Sequence, residues 1–368
     1  MLNTTSKTNL VVIGGFLGSG KTTSILNIAR YLVSQGKQIG IVTNDQGSQL
    51  VDTQFLAQAG LSVLEVTGGC FCCNFDQFAE KLNQLATSQM PDYILAEPVG
   101  SCTDLIATIF KPLQTKYTQQ FTLSPLSILA DPKRVKKLMM EPETSPFPDE
   151  INYLFRKQLE EADVIVLNKI DLLSEIEIEA IHSFLKNTFK GIAVITTSAK
   201  NNVGIAEWAE IVTSRHASLN PSLEIDYKTY ATAEAYLGWL NSSGLLEASV
   251  PVDINALVYE LLENLKAQLQ VSHYEIAHLK IYGIAESDWV KASITSVTDA
   301  VDFNRRMAQP ANHVKLIINA RIHIEPEILK PLVEEELAAI AAKNDMDVKD
   351  LRTECFKPGK PVPKYRIA

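Results

Sequence analysis

The apolar residues of the first 219 positions fall into short, nearly continuous runs separated by amphipathic stretches. Each run is rich in Val, Ile and Leu with little alternation, which is typical of strands covered on both faces of a sheet. The runs that we predict to be strands are LVVIGG, QIGIVTN, LSVLEVTGG, DYILAEPVG, LSILAD, DVIVLNK and IAVITTSAK. The stretches between them predict helices, for example over 21–35, 76–89, 149–161 and 174–188. This alternation predicts an α/β fold with a doubly wound, mostly parallel sheet.

The pattern changes near residue 219, where the alternation of strand and helix stops. Beyond it, apolar residues recur at helical spacing, and two alternating stretches are followed by a further strand and helix. The predicted elements are a helix over 254–269, a hairpin within 274–297, a strand over 313–324 and a helix over 326–342. They indicate a smaller α+β domain with helices on one face of an antiparallel sheet. The predicted organisation is a first domain at 1–219, the small domain at 220–354 and an extended, proline- and lysine-rich tail at 355–368.

Composition and charge exclude several classes of protein. The chain of 368 residues carries a net charge of −9, which argues against a protein built to bind nucleic acid or an anionic membrane. No apolar run approaches the roughly 18 residues of a membrane span, and residues 1–10 lack the pattern of a signal peptide. The five cysteines are unevenly placed and do not form a secreted disulfide framework. We therefore expect a cytoplasmic protein with reduced thiols.

A glycine-rich motif, GGFLGSGKTT, lies between the first predicted strand and the first predicted helix. It fits the pattern G-x-x-x-x-G-K-[ST] of a phosphate-binding loop. In such a loop, backbone N–H groups surround the phosphates, the lysine binds the β- and γ-phosphates, and the threonine hydroxyl ligates Mg²⁺. The residues that we expect to bind nucleotide here are Gly15, Gly18, Ser19, Gly20, Lys21, Thr22 and Thr23.

An acid at the end of a neighbouring strand completes the metal site of a phosphate-binding loop. The run DYILAEPVG supplies Glu97, followed by Gly100. Such an acid could also cap the next helix, but the phosphate loop favours Glu97 as a group that holds Mg²⁺ directly or through water. Gly100 is expected to supply a backbone N–H near the γ-phosphate. The predicted catalytic residues are Lys21, Asp45 and Glu97, with Gln46 as a second candidate beside Asp45 for orienting water.

Two motifs further along the chain, NKID and TSAK, indicate which base is bound. An aspartate carboxylate accepts hydrogen bonds from both N1–H and N2–H₂ of guanine, whereas adenine offers no such pair of donors. The order and spacing of the two motifs resemble the base-binding pair of GTPases, so we predict GTP rather than ATP. The residues concerned are Asn168, Lys169, Asp171, Ser198, Ala199 and Lys200.

Three of the five cysteines lie in the run CFCC, at Cys70, Cys72 and Cys73. The run follows a predicted strand, so it should lie at the same sheet edge as the phosphate loop. The thiols could be small buried hydrophobes, a strained redox pair or ligands of a thiophilic metal such as Zn²⁺. We favour the metal, because three thiols flanked by glycine and asparagine suit a metal site that leaves its fourth position open. Cys102 and Cys355 stand alone in the sequence.

Together, GGFLGSGKTT, GGCFCC, EPVG, NKID and TSAK resemble the motifs of the CobW family of metallochaperone GTPases, SIMIBI-class relatives of UreG and HypB. The match covers the first domain, and the family's metal motif is C-x-C-C at the same place. The resemblance implies a slow GTPase that binds GTP or GDP, Mg²⁺ and a Zn²⁺-like metal, which it delivers to a client metalloprotein. We expect a monomer or a nucleotide-dependent dimer, and neither nucleic acid nor a membrane as a partner.

Some positions depart from the family's commonest form. NDQG stands where N-E-F-G is usual, EPVG replaces E-T-T-G or E-T-S-G, and the six histidines are scattered. Two alternatives therefore stay open beside the metallochaperone. One is a GTPase that assists a corrinoid or cobalamin-related enzyme and carries a structural zinc, and the other is a zinc-sensing GTP-binding switch. A P-loop kinase is a weaker third, because no motif supplies its substrate pocket.

Overall fold

The computed structural model describes residues 7–44, 51–117, 120–218, 221–286 and 288–368. Within these ranges the chain divides into two units. The first contains the residues up to Asn44, Asp52–Tyr230 and Pro361–Ala368, and the second contains Ala231–Lys360. The two units meet in the sequence after Tyr230, and Pro361–Ala368 group with the first unit.

The first unit is built on a parallel sheet. Its strands are β1 (Thr8–Gly15), β2 (Ile39–Asn44), β3 (Ser62–Val66), β4 (Tyr93–Glu97), β5 (Phe121–Leu123), β6 (Ser127–Ala130), β7 (Val164–Leu167) and β8 (Ala193–Thr196). The order across the sheet is β3-β2-β4-β1-β6-β7-β8, and β5 pairs with the start of β1. All of these strands except β5 coincide with predicted apolar runs. β5 pairs through only three residues and is too short for a periodic pattern.

Helices and tight turns connect these strands. The helices between the strands are α1 (Lys21–Ser34), α2 (Val51–Gln58), α3 (Phe75–Ser88), α4 (Lys111–Lys116), α5 (Pro132–Val135), α6 (Asp149–Glu160) and α7 (Glu175–Thr188). After β8 come α8 (Ile205–Ser214) and α9 (Tyr227–Ala235), whose last residues belong to the second unit. Shorter π- and 3₁₀-helical turns lie at Ile106–Phe110, Lys136–Met140, Pro142–Thr144 and Ile170–Leu172. Strands β2, β4, β6 and β7 are buried along their whole length, so both faces of the sheet are covered. The predicted α/β class of the first domain is confirmed.

The second unit contains an antiparallel sheet with two long helices. The elements are β9 (Gly238–Val252), α10 (Ile254–Val271), β10 (Ile276–Ala285), β11 (Asp288–Ile294), β12 (Asp302–Arg305), β13 (Ala311–Ile322), α11 (Pro326–Lys343) and β14 (Met346–Phe356). The strand order is β12-β11-β10-β13-β9-β14. Leu257, Leu261 and Leu265 of α10 share one core with Leu329 and Val333 of α11 and with apolar residues of the sheet. The predicted second, smaller α+β domain is confirmed.

Three strands of the second sheet, β9, β12 and β14, were not among the predicted elements. β9 contains glycine, asparagine, serine and proline, which sequence patterns associate with turns. It nevertheless lies between β13 and β14, and its buried Asn241 is hydrogen-bonded there: Nη1 of Arg321 donates to Oδ1 of Asn241 at 2.9 Å, and Nδ2 of Asn319 donates to it at 3.0 Å. Both partners lie on β13, so the pairing of distant strands, and not the local pattern, makes this segment a strand.

No helix in the described ranges is both long enough and apolar enough to span a membrane.

Candidate nucleotide and metal site

The glycine-rich motif forms the turn between β1 and α1. Gly15, Gly18 and Gly20 have φ angles of +132°, +80° and +92°, which residues with a side chain rarely adopt. A Cβ on Gly15 would also lie 2.4 Å from the carbonyl oxygen of Leu129 on β6. Glycine is therefore required here, and the loop leads directly into the N-terminus of α1, where unpaired N–H groups favour an anion. Thr23 lies in the first turn of that helix.

Lys21 folds back over the loop. Its ammonium group donates to the carbonyl oxygen of Gly15 at 2.9 Å and to that of Phe16 at 3.4 Å. Gly100 lies against the same ammonium group, since a Cβ at Gly100 would be 3.1 Å from Nζ of Lys21. The hydroxyl of Ser19 is buried and has no hydrogen-bond partner within the described ranges. The Lys21 ammonium thus lies beside the Gly100 backbone, and the same loop carries the unsatisfied Ser19 hydroxyl. These groups fit the phosphates of a nucleotide.

Thr22 and Glu97 form the candidate magnesium site. The Thr22 hydroxyl donates to Oε1 of Glu97 at 3.0 Å, and both residues are buried. A hydroxyl and a carboxylate are the oxygen ligands that Mg²⁺ prefers beside nucleotide phosphates, so these residues fit the ion. The structure therefore brings together Lys21, Thr22, Glu97 and Gly100. Asp45 and Gln46 lie outside the described residues.

Asn168 ties the two base motifs to the phosphate loop. Its amide nitrogen donates to the carbonyl oxygen of Ser19 at 2.9 Å. Its amide oxygen accepts from the backbone N–H of Ala199 at 3.0 Å and from the Thr197 hydroxyl at 3.2 Å. Asn168 is buried. Its hydrogen bonds therefore connect the loops of the two base motifs to the phosphate loop.

Asp171 and Ser198 form a further pair of the candidate base site, an exposed carboxylate beside a buried hydroxyl. The Ser198 hydroxyl donates to Oδ1 of Asp171 at 2.5 Å, while Asp171 itself is exposed. Its carboxylate is thus held in place at one oxygen and remains accessible to N1–H and N2–H₂ of a guanine. Lys200 is also exposed.

Lys169 has a partner that the motifs did not reveal, Asp131 at the end of β6. Its ammonium lies 2.8 Å from Oδ2 of Asp131, and its backbone has a φ of +61°. Asp131 is buried, which opposes its ionisation, but Lys169, Arg134 and the N–H groups at the start of α5 outweigh burial and hold its pKa below the usual value. The available sequence signal was an aspartate directly before Pro132, which is typical of a helix N-cap.

The CFCC run forms a tight turn between β3 and α3, and Asn44 at the end of β2 holds it. The Asn44 amide nitrogen donates to the carbonyl oxygens of Val66 and Gly69 at 2.9 and 2.8 Å, and its oxygen accepts from the N–H of Phe71 at 2.8 Å. The Phe71 ring is buried and stacks on Phe78 of α3 with ring centroids 4.0 Å apart. The ring anchors the turn in the core. Asn44 was not a predicted site residue; its signal is a polar side chain that ends a buried strand.

The three thiols of the turn converge on one another. The Sγ of Cys70 lies 2.8 Å from that of Cys72 and 3.1 Å from that of Cys73, and the Cys72–Cys73 distance is 3.9 Å. A tetrahedral zinc with Zn–S bonds of about 2.3 Å requires sulfurs about 3.8 Å apart. One pair already has this spacing and the others need to separate by about 1 Å or less, so the residues fit such an ion. Among the His, Cys, Asp and Glu side chains of the described ranges, these three thiols form the group of three or more that lies close enough together to hold a metal ion.

A fourth thiol, that of Cys102, belongs to the same cluster. It is buried and hydrogen-bonded with the thiols of Cys70 and Cys72. Cys102 stands alone in the sequence because it lies on the loop after β4, whereas the other three follow β3. The signal that could have revealed it is its place shortly after Gly100, in a loop already expected at this edge of the sheet.

Hydrogen bonding among the thiols shifts the pKa values of Cys70, Cys72 and Cys73 in different directions. Hydrogen bonds with Cys102, Cys72 and Cys73 hold the pKa of Cys70 well below its usual value, although burial opposes this. The same contacts, with that of Cys102 the strongest, raise the pKa of Cys72, and the contact with Cys70 raises the pKa of Cys73 to about 11. A thiol whose pKa is lowered gives up its proton more readily, which favours metal binding at the cluster.

The end of the chain lies on the cysteine turn. The backbone N–H of Lys364 donates to the carbonyl oxygen of Cys72 at 2.9 Å, and the backbone of Val362 hydrogen-bonds to the Cys73 thiol. The Lys364 ammonium pairs with Asp76 at the start of α3. Cys73 is half-buried and opens into a surface hollow that Asp76 and Lys364 also line. The tail thus borders the accessible side of the cluster.

The fold and the site define a P-loop nucleotide-binding protein with a cysteine cluster. The short segment from Glu97 to Cys102 contacts the phosphate-loop residue Thr22 at one end and the cluster at the other. Residues 9–196 match the model of the family described as CobW/HypB/UreG, nucleotide-binding domain, and the chain belongs to this family. The family resemblance expected from the motifs is thereby confirmed.

Individual proteins show similarity over the same region. The chain is 32% identical over 189 residues to a zinc chaperone CobW from Sinorhizobium sp, an alignment that covers 46% of this chain and 53% of that protein. It is 32% identical over 169 residues to the zinc chaperone YeiR of Escherichia coli, covering 45% of this chain and 47% of that one. The chain therefore spans about half the length of the curated relatives it matches. A crystal structure of HypB from Helicobacter pylori in complex with nickel is 17% identical, with a TM-score of 0.40, and covers 56% of this chain and 86% of that chain.

Proposed function

We propose that this protein is a GTP-hydrolysing metallochaperone that binds a zinc-like ion at its cysteine cluster and delivers it to a client metalloprotein. The observation that carries the proposal is the segment from Glu97 to Cys102. It begins at a carboxylate hydrogen-bonded to Thr22 of the phosphate loop and ends at a thiol hydrogen-bonded to Cys70. The names of the two curated relatives, both zinc chaperones, support the choice of cargo.

At the nucleotide site, each of the chain's own groups has a separate task. The Lys21 ammonium exchanges its present bonds to loop carbonyls for the β- and γ-phosphates, and Thr22 with Glu97 holds Mg²⁺. Mg²⁺ held by these two residues would neutralise negative charge that develops on the phosphates during hydrolysis. Asp171, oriented by Ser198, selects guanine. Turnover is slow, on the order of 10⁻⁴ to 10⁻² per second, as for GTPases without an activating partner.

At the metal site, nucleotide state alters how firmly the cargo is held. The γ-phosphate of GTP contacts the loop around Gly100, and contacts of that kind order the switch segments of GTPases. Because the same loop continues into the cysteine cluster, hydrolysis changes the surroundings of the thiols and favours transfer. A cytoplasmic location suits this chemistry, since the described cysteines are free thiols and thiols stay reduced there. The protein acts as a monomer or a nucleotide-dependent dimer.

Zinc affinity in three nucleotide states tests the proposal. We expect the wild type to bind zinc with different strength when it carries GDP, a non-hydrolysable GTP analogue or no nucleotide. Linkage is reciprocal, so zinc must change the affinity for the GTP analogue by the same factor, about 5- to 150-fold. The control is the variant in which Cys70, Cys72 and Cys73 are all serine, which should lose the zinc site and keep GDP affinity.

Two outcomes would favour other functions. Equal zinc affinity in all three states would leave a structural zinc, as in a GTPase that assists a corrinoid enzyme. Zinc-dependent nucleotide binding without transfer of zinc to any apoprotein, and without measurable GTP turnover, would favour the zinc-sensing switch.

A further inference from the structure

We propose that Cys102 is a fourth thiol ligand of the cysteine site, so that the ion is held by three thiols of one loop and one thiol of the loop that faces the phosphate site. The inference rests on the proposed function, because it concerns the metal bound there. It changes the expected site from three thiols with an open position to a closed site of four.

The first argument is the position of the thiol. Cys102 is 2% exposed, and its thiol is hydrogen-bonded with those of both Cys70 and Cys72. A buried cysteine that only fills space packs against apolar side chains. Here the sulfur instead adjoins the sulfurs of Cys70 and Cys72, and four thiolates are a complete ligand set for Zn²⁺.

The second argument is the way in which the loop holds Cys102. Its backbone N–H donates to the carbonyl oxygen of Val99 at 2.9 Å, which closes a tight turn. The side-chain amide of Gln158 on α6 donates to the carbonyl oxygen of Gly100 at 3.0 Å and to that of Cys102 at 2.9 Å. Gln158 is buried. One amide therefore fixes the positions of Gly100 and Cys102 relative to each other.

The third argument is the position of Gly100 beside the phosphate loop. The Lys21 ammonium would lie 3.1 Å from a Cβ at Gly100, so a γ-phosphate bound by Lys21 borders the Gly100 backbone. A shift of Gly100 moves Cys102 with it, through the short turn and the Gln158 amide. The nucleotide can thereby move the fourth sulfur toward or away from the other three. Four-ligand zinc sites are closed, whereas sites with three protein ligands keep a position for exchange, so this motion would separate a holding state from a releasing state.

The number of thiol ligands can be counted with Co²⁺, whose thiolate charge-transfer absorption grows with each coordinated sulfur. We would load the full-length wild type with Co²⁺ in the presence of GDP and, separately, of a non-hydrolysable GTP analogue. The variants are Cys102→Ser and Cys102→Ala, and the matched control is Cys355→Ser, a cysteine of the second unit. GDP affinity of each variant reports whether the nucleotide domain is folded.

We expect one nucleotide state of the wild type to show a four-thiolate spectrum. In that state both Cys102 variants should lose about a quarter of the charge-transfer intensity and bind zinc at least about tenfold more weakly. Cys355→Ser should match the wild type. Wild-type spectra and zinc affinities in both Cys102 variants would overturn the inference and leave the proposed function intact. A wild type that binds neither Co²⁺ nor Zn²⁺ in any nucleotide state would overturn both.

Discussion

The guanidinium of Arg366 donates a hydrogen bond to the buried carboxylate of Asp104 at 2.7 Å, although 262 positions separate the two residues in the sequence. The Tyr227 hydroxyl donates to the same carboxylate oxygen at 2.7 Å. Asp104 follows Cys102 closely and has a φ of +65°. The end of the chain is therefore attached to the loop that carries the fourth thiol, as well as to the cysteine turn through Lys364.

Replacing Arg366 by leucine should destabilise the first unit. In the variant, the buried Asp104 carboxylate keeps the hydrogen bond from Tyr227 but loses its charged partner. Removing one member of a buried ion pair is costly. Because Arg366 is itself partly exposed, we expect a loss of about 1–3 kcal/mol in the free energy of unfolding, measured by urea denaturation. Adding Asp104→Asn should recover part of this loss. Lys364→Ala is the matched control and should change the free energy of unfolding less than Arg366→Leu does, since its ion pair with Asp76 is exposed. Equal stability of Arg366→Leu and the wild type would show that this contact is absent in solution.

Lys21 and Glu97 should give separable defects. Lys21→Ala removes the charge that faces the β- and γ-phosphates, so affinity should fall for both GTP and GDP. Glu97→Gln retains an oxygen that can accept from Thr22 but loses the negative charge that holds Mg²⁺, so GDP affinity should persist while hydrolysis falls about a hundredfold. Calorimetric GDP titrations and single-turnover hydrolysis separate the two effects. A similar loss of GDP affinity in both variants would contradict the role given to Glu97.

Asp171→Asn should change which base is preferred. The Ser198 hydroxyl can still donate to the asparagine oxygen, so the loop should keep its shape. The amide cannot accept from two guanine donors as the carboxylate does, and affinity for GTP should fall on the order of a hundredfold, with a shift toward xanthine nucleotides. Competition between GTP, ATP and XTP measures this. If the wild type already binds ATP as tightly as GTP, Asp171 does not read guanine.

Glu161 should make stability depend on pH. It accepts from the Thr103 hydroxyl at 3.2 Å and from the N–H of Ile106 at 3.4 Å, and burial, followed by the charge of Asp104, raises its pKa to about 8. Since this folded-state pKa exceeds the ordinary value of 4.5, the folded protein binds the proton more tightly than the unfolded chain. The stabilising contribution is complete below about pH 4.5 and is lost as the pH rises through about 8.

Glu161→Gln should therefore flatten the pH profile of the free energy of unfolding. Its stability relative to the wild type should increase between about pH 5 and about pH 9, by no more than a few kcal/mol. Urea denaturation at several pH values measures the slope. The same slope in both proteins would assign the pH dependence to other groups.

The sequence by itself was sufficient for the features that arise from local pattern. Strands covered on both faces appear as continuous apolar runs, so the parallel sheet could be predicted almost strand by strand. The turn from β1 into α1 needs glycines at positive φ at three positions within six residues, and one short motif of the sequence contains all three. The three cysteines of CFCC were also recognisable, because they are neighbours in the chain as well as in space.

The tertiary structure alone decided which distant residues meet. Cys102 lies beside the CFCC thiols because parallel strands place the loops after β3 and β4 at one edge of the sheet. No local sequence pattern predicts that contact. The same holds for Asp131 beside Lys169, for the tail on the cysteine turn, and for β9, whose turn-like residues are paired from both sides by β13 and β14. Each of these contacts depends on chain segments far apart in sequence, and their energy comes from hydrogen bonds and burial that exist only once the sheets have formed.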